Sequence, residues 1–188
     1  EQMPVVGFLT ASAPDGYSDR LRALRQGLKE SGYVEGENVA IEYRWAEGRY
    51  ERLPQLAADF VNRKVTVIVA AYFPSAVAAK AATLTIPIVF ISGVDPIAAG
   101  FVTSLNRPGG NLTGLSNYNT SLTAKRLELL HQIVPRASTV AVIVNSKSPA
   151  TQIIEAEARA ATQALGVRVE VLGASTEDEI DATFVIAV

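Results

Sequence analysis

Residues 86 to 116 read Ile86-Pro-Ile-Val-Phe-Ile-Ser-Gly-Val-Asp-Pro-Ile-Ala-Ala-Gly-Phe-Val-Thr-Ser-Leu-Asn-Arg-Pro-Gly-Gly-Asn-Leu-Thr-Gly-Leu-Ser116, and this stretch decides the fold class. Ile88 to Ile91 is a short apolar run of the kind found in a strand covered on both faces. It stops at Ser92-Gly93, and Asp95-Pro96 then offers an N-cap followed by a proline suited to a first helical turn. A buried strand that opens onto a polar, tightly turned edge is the local pattern of an open α/β sheet. Small ligands bind such sheets beyond the carboxyl ends of the strands.

The same alternation runs in both directions from this segment. Val5 to Thr10 reads as a first strand, and Tyr17, Leu21, Leu24 and Leu28 stripe one face of a helix over residues 17–31 that Gly32 ends. Val39 to Trp45 alternates as a second strand, with Trp45 expected to pack in the core. Leu53, Leu56, Ala57 and Phe60 face a second helix. Val65 to Ala71 forms a third strand, an alanine-rich helix runs from Pro74 to Thr83, and Asn111 to Leu115 is a fifth strand. After Asn117-Tyr-Asn119 the pattern restarts with a helix over 121–133 and a strand from Thr139 to Val144. A long helix follows, marked by Ile154, Ala158, Ala161 and Leu165, and then a strand from Val167 to Leu172. Thr176-Glu-Asp-Glu179 is a capping box for a helix expected to end almost as soon as it starts. Val185-Ile-Ala-Val188 is a possible third strand of that half. Short runs alternating with helical segments specify βα units around mainly parallel sheets. The expected organisation is a first Rossmann-like lobe over 1–116, a crossing at 117–120 and a second, incomplete lobe over 121–188.

Composition narrows the function. The 188 residues are 48% apolar and 19% charged, a globular balance. Seventeen basic against 19 acidic residues leave a net charge of −2, without the basic surface that nucleic acid requires. No run of about 18 apolar residues is present to span a membrane. The absence of cysteine removes disulfides, thiolate metal sites and a cysteine nucleophile. The start at Glu1-Gln-Met-Pro4 has no basic or apolar leader, which fits a cytosolic chain or one whose export signal has been removed.

Candidate contacts cluster in the loops after the strands. Ser12 and Ala13 belong to the first such loop, Ser12-Ala-Pro-Asp-Gly-Tyr17, where Asp15 and Ser18 could equally serve as helix caps. This loop lacks G-x-G-x-x-G, and no phosphate-binding loop occurs elsewhere. Tyr72, Phe73, Pro74 and Ser75 lead into the alanine-rich helix, whose free amides suit a carboxylate, and the two rings offer stacking surface. Asp95 is at once an N-cap candidate and a partner for a ligand ammonium. His131 stands alone among leucines and reads as a surface or partly packed residue. No cluster of histidines or carboxylates has metal-ligand character, so no metal or cofactor is expected. An enzyme is the weakest reading, since no nucleophile stands beside a base.

Several longer motifs carry a resemblance. Tyr33-Val-Glu-Gly-Glu-Asn38, Ile41-Glu-Tyr-Arg-Trp-Ala-Glu-Gly-Arg-Tyr50, Ile86-Pro-Ile-Val-Phe90, Asp95-Pro96, Ser104-Leu-Asn-Arg-Pro-Gly-Gly-Asn-Leu-Thr-Gly114 and Lys125-Arg-Leu-Glu-Leu-Leu130 together resemble bacterial ABC transporter substrate-binding proteins of the tryptophan/tyrosine-binding-like group. The resemblance implies a type I periplasmic-binding fold, with two Rossmann-like lobes closing on an amino-acid-like or aromatic ligand. It also implies delivery to a permease with its ATPase, and a periplasmic or lipid-anchored location. By position it places ligand contacts at Ser12, Ala13, Tyr72, Phe73, Pro74, Ser75, Asp95, Asn117, Asn145 and Ser146. Two departures stand out. Tyr72-Phe73 replaces a small pair usual in relatives, and relatives continue past residue 188, so a truncated second lobe and dimerisation through its open edges are expectations to test. The same fold also serves as the sensor module of regulators and receptors, which is the alternative reading.

Overall fold

The computed structural model describes residues 3–186. They fall into two compact units, one taking in the chain up to Ser92 together with Pro96–Ser116, the other Gly93–Asp95 and the chain from Asn117 onward.

The first unit is built on five strands: β1 (Val5–Thr10), β2 (Ala40–Trp45), β3 (Val67–Ala71), β4 (Ile88–Ser92) and β5 (Leu112–Ser116). All pair in parallel in the order β2-β1-β3-β4-β5. Central β3 is apolar throughout, and β1 up to Thr10 at its carboxyl end, because helices cover both of their faces. Helix α1 (Ser18–Glu30) lies against one face, where Leu21 and Leu24 join Val6, Phe8, Tyr17, Val39 and Val69 in one apolar group. Trp45 packs in the same group. Helices α2 (Leu53–Asn62) and α3 (Phe73–Ala82) cover the other face, around Leu9, Phe60, Ile68, Ile88 and Phe90. Phe60 sits so close that a Cβ at Gly7 would lie 2.9 Å from its ring, so glycine is what lets α2 seat on β1. Beyond β3 the first face loses its cover. Strand β4 alternates buried and exposed, leaving Val89 and Ile91 open, and Leu115 of β5 is 64% exposed.

The second unit contains helix α4 (Thr123–Ile133), strand β6 (Thr139–Val144), helix α5 (Thr151–Leu165), strand β7 (Arg168–Gly173) and helix α6 (Glu177–Ile186). Strands β6 and β7 form a two-stranded parallel sheet. Its core is small, with Leu127, Val140, Ala158 and Ala161 at the centre.

Three expectations are corrected. Asp95-Pro96 does not open a helix: residues 96–100 form a single turn in which Phe101 N–H donates to the Pro96 carbonyl, and Gly100 at φ +67° turns the chain away. The last helix is a full ten residues rather than a stub. Half of the box forms as predicted, with Glu179 N–H donating to Thr176 Oγ1 at 3.2 Å, while Glu179 Oε2 accepts from the Ser175 amide at 2.5 Å, one residue before the cap. Val185 and Ile186 accordingly belong to that helix and not to a strand, while Ala187 and Val188 lie outside the described residues. Third, α1 has no side-chain cap, so neither Asp15 nor Ser18 serves as one. Among the described residues no helix is long and apolar enough to cross a membrane.

Candidate functional site

In the first unit the strand order reverses between β1 and β3, with β2 on one side and β4 on the other. Connections leave in opposite directions there, which opens a crevice at the carboxyl ends of the two strands. The register places Thr10 opposite Ala71, and Ala71 opposite Ile91, so the loops after β1, β3 and β4 leave one common edge.

Thr10 is wholly buried at that edge, and its Oγ1 accepts from the Ser12 amide at 3.2 Å. That bond fixes the start of the loop carrying Ser12 and Ala13, both half-buried. The Ser12 carbonyl in turn accepts from the Glu47 amide, tying the loop to the end of β2. Tyr17 closes the loop. It is 4% exposed, and burial pushes its phenol up to about 12, with a hydrogen bond to Thr10 opposing and one to Tyr72 adding to the rise. Sequence periodicity assigned Tyr17 only to the α1 stripe. Its hydroxyl belongs to the site edge as well, a role that no spacing rule signals.

Tyr72 follows β3 directly and stands at φ +70°, ψ 154°. Its amide donates to the Ile91 carbonyl at 2.8 Å, and its carbonyl accepts from the Ala76 amide at 3.2 Å. The backbone is thus pinned to β4 on one side and to the first turn of α3 on the other. The residue is 41% exposed, and its ring meets Tyr17 edge-on. Tyr17 in turn packs edge-on against Trp45 at 5.3 Å and Phe8 at 5.9 Å. Phe73 goes the other way, packing its ring on Phe101 at 5.4 Å and joining the core beneath α3.

Helix α3 begins with no side-chain cap and with Pro74 in its first turn. Ser75 is wholly buried, and its Oγ has no hydrogen-bond partner among the described residues. A free hydroxyl inside the first turn of an uncapped helix is a donor in excess, in a place where the helix dipole favours negative charge. Proline supplies no N–H, so the Phe73 and Ser75 amides and the Ser75 hydroxyl are the donors at this helix start.

The other expected contacts belong to the second unit. Asp95 is half-buried, in the short Gly93–Asp95 segment that packs with the chain after 116. Thr120 donates to the Gly93 carbonyl through its amide at 3.0 Å and its Oγ1 at 3.3 Å. Asn117 is exposed, and its Oδ1 accepts from the Asn119 amide at 3.3 Å. Asn145 and Ser146 leave the carboxyl end of β6. Asn145 Oδ1 accepts from the Lys147 amide, and Ser146 Oγ lies 2.8 Å from Ser175 Oγ beyond β7. Ser175 is a contact candidate that sequence reading missed, because it looked like a mere helix flank. A groove of about 420 Å³ also occurs in this unit, lined by Thr120, Ser121, Ala124, Glu157 and three alanines of α5, and it holds none of the expected contacts.

The family described as ABC transporter substrate binding protein matches residues 8–187. The chain is 37% identical over 128 residues to a tyrosine-binding protein of Clostridioides difficile, an alignment covering 68% of this chain and 36% of that protein. It superposes with a TM-score of 0.83 at 28% identity on a conserved domain protein from Vibrio cholerae, over 99% of this chain and 62% of that one. A TM-score of 0.82 at 24% identity relates its fold to an ABC domain from Streptococcus pneumonia solved with L-Trp, again over 99% and 62%. The chain therefore spans less than two thirds of the length of these relatives.

Proposed function

The chain belongs to the family of ABC transporter substrate-binding proteins, and on that premise we propose that it captures an amino-acid-like or aromatic carboxylate for an importer. The observation that carries the reading is the uncapped start of α3 with the buried, unpartnered Ser75 hydroxyl. A ligand carboxylate arriving there meets the Phe73 and Ser75 amides and satisfies that hydroxyl. Ser12 and Ala13 line the neighbouring loop, Tyr72 supplies a ring face, and Phe73 and Pro74 shape the helix start. From the second unit we assign Asp95 to the ligand ammonium and Asn117, Asn145 and Ser146 to polar contacts. Relatedness to a tyrosine-binding protein at 37% identity supports an amino acid with a ring.

The family consists of binding proteins rather than enzymes, and its description as a transporter component favours transport over the sensor alternative. Delivery to a permease and its ATPase, and a place outside the inner membrane in the periplasm or on a lipid anchor, follow from that role.

The test is thermal unfolding against the twenty amino acids and a set of aromatic monocarboxylates. A true ligand at a hundredfold excess over its Kd stabilises by about 2.7 kcal/mol. A panel that moves no melting temperature would remove this ligand class.

A further inference from the structure

Tyr72 stands in a region of backbone space, φ +70° with ψ 154°, that is essentially reserved for glycine. Such strain persists only where the surroundings over-determine it. Here they do, through the amide bond to Ile91 and the carbonyl bond from Ala76. The strain holds one thing in place, which is the ring. Phe8, Tyr17, Trp45 and Tyr72 form a chain of edge-on and tilted contacts with centroids 5.3 to 6.3 Å apart, and Tyr17 within it is buried. Tyr72 is its exposed end, at the switch-point edge and one residue before α3. A glycine at this position would relieve the backbone and leave the edge without a ring. The neighbouring Phe73 cannot substitute, because it is committed to Phe101 and the core.

We propose that Tyr72 is a specificity-determining residue, its ring held against backbone strain so that the site favours ligands with a flat aromatic group over aliphatic ones of similar size. The assignment rests on the reading above, of a carboxylate ligand with a ring, and adds to it the residue that selects the ring and the strained backbone that holds it in place. A ring stacked on or set edge-to-face with Tyr72 gains an aromatic contact that an aliphatic side chain lacks, a preference of about two- to tenfold in Kd.

The experiment compares wild type, Tyr72→Gly and Tyr72→Phe, each titrated with L-tyrosine and L-leucine and each melted without ligand. Tyr72→Gly is expected to raise the ligand-free melting temperature and to erase the L-tyrosine preference. Tyr72→Phe is expected to keep the preference, since the ring remains. A ligand-free Tyr72→Gly protein that melts lower than wild type would overturn the strain argument. Equal loss of both ligands in Tyr72→Gly, with the ratio unchanged, would overturn the specificity role while leaving the carboxylate site standing. Wild type that binds neither amino acid would instead remove the reading on which the assignment depends, and the assignment with it.

Discussion

Tyr17 and Tyr72 meet ring edge to ring face, with centroids 6.3 Å apart and planes at 80°, although 55 residues separate them in the chain. The contact exists because β1 and β3 are neighbours whose following loops leave the same sheet edge. It ties a buried phenol to an exposed one. Burial holds the Tyr17 hydroxyl neutral up to about 12, so the folded protein binds a proton there that the unfolded chain releases near pH 10. Its contribution is complete below pH 10 and lost as pH rises from about 10 to 12, on the order of 3 kcal/mol. Burial pushes the Tyr43 phenol up as well, so ultraviolet titration of the native protein should show more than one late phenol, and the Tyr17→Phe variant should lose the latest of them. A Tyr17→Phe titration curve differing from wild type near pH 10 instead would count against the burial argument.

Two glycines are set by close approach rather than by turns. A Cβ at Gly7 would meet the Phe60 ring at 2.9 Å, and one at Gly114 would lie 2.1 Å from the Phe90 carbonyl oxygen. Overpacking of this kind costs about 1–3 kcal/mol. Because a ring can tilt and a strand backbone cannot, Gly114→Ala should lose more stability than Gly7→Ala. Urea unfolding of both variants checks the order, and a smaller loss for Gly114→Ala would contradict it.

The half-buried edge strand β2 carries an ion-pair chain in which Arg63 grips Glu42 with two bonds of 2.6 and 2.7 Å, and Arg44 reaches Asp59 at 2.6 Å. The Arg63 hydrogen bonds hold the Glu42 carboxyl below its ordinary value. A depressed carboxyl contributes stability above its unfolded pKa, and that contribution fades as pH falls through the folded value. Glu42→Gln should therefore cost a little stability at pH 7, less in high salt, and nothing once the solution is acid enough to protonate wild-type Glu42. A difference that persists unchanged into acid would show that the charge is not its source.

The second unit rests on a small core, so single truncations there should be severe. Leu127 is 6% exposed among Val140, Ala158 and Ala161. Leu127→Ala should cost about 2–5 kcal/mol, read as an earlier loss of hydrogen-exchange protection in β6 and β7 than in β1 and β3. Simultaneous loss in both sheets would mean that the two units unfold as one.

Much of this was legible in the residues. The apolar runs at 5–10, 67–71 and 139–144 are strands because Val, Ile and Phe pack well on a pleated, covered surface, and Gly32 marks the end of α1 by its positive φ. Strand order was not legible, since all five runs look alike and the order is set by how the crossovers pack. Asp95-Pro96 misled because a cap and a proline also suit a single turn, and nothing local distinguishes the two before Gly100. Helix α6 was underestimated because Phe184-Val-Ile186 has β-prone residues, while the three acids of its first turn and the box at Thr176 carry the helix on. The site edge was half visible. The loop positions follow from where strands stop, but the conformation of Tyr72 runs against local preference, and only tertiary bonds to Ile91 and Ala76 hold it there.

The central claim is that the start of α3 receives a ligand carboxylate, and the most direct measurement is a calorimetric titration with L-tyrosine and with tyramine, which differs by lacking that group. L-tyrosine should bind saturably and tyramine should bind weaker by about tenfold or more, as expected for the loss of charged hydrogen bonds. Equal affinity for the two, or no saturable heat with L-tyrosine, would contradict it.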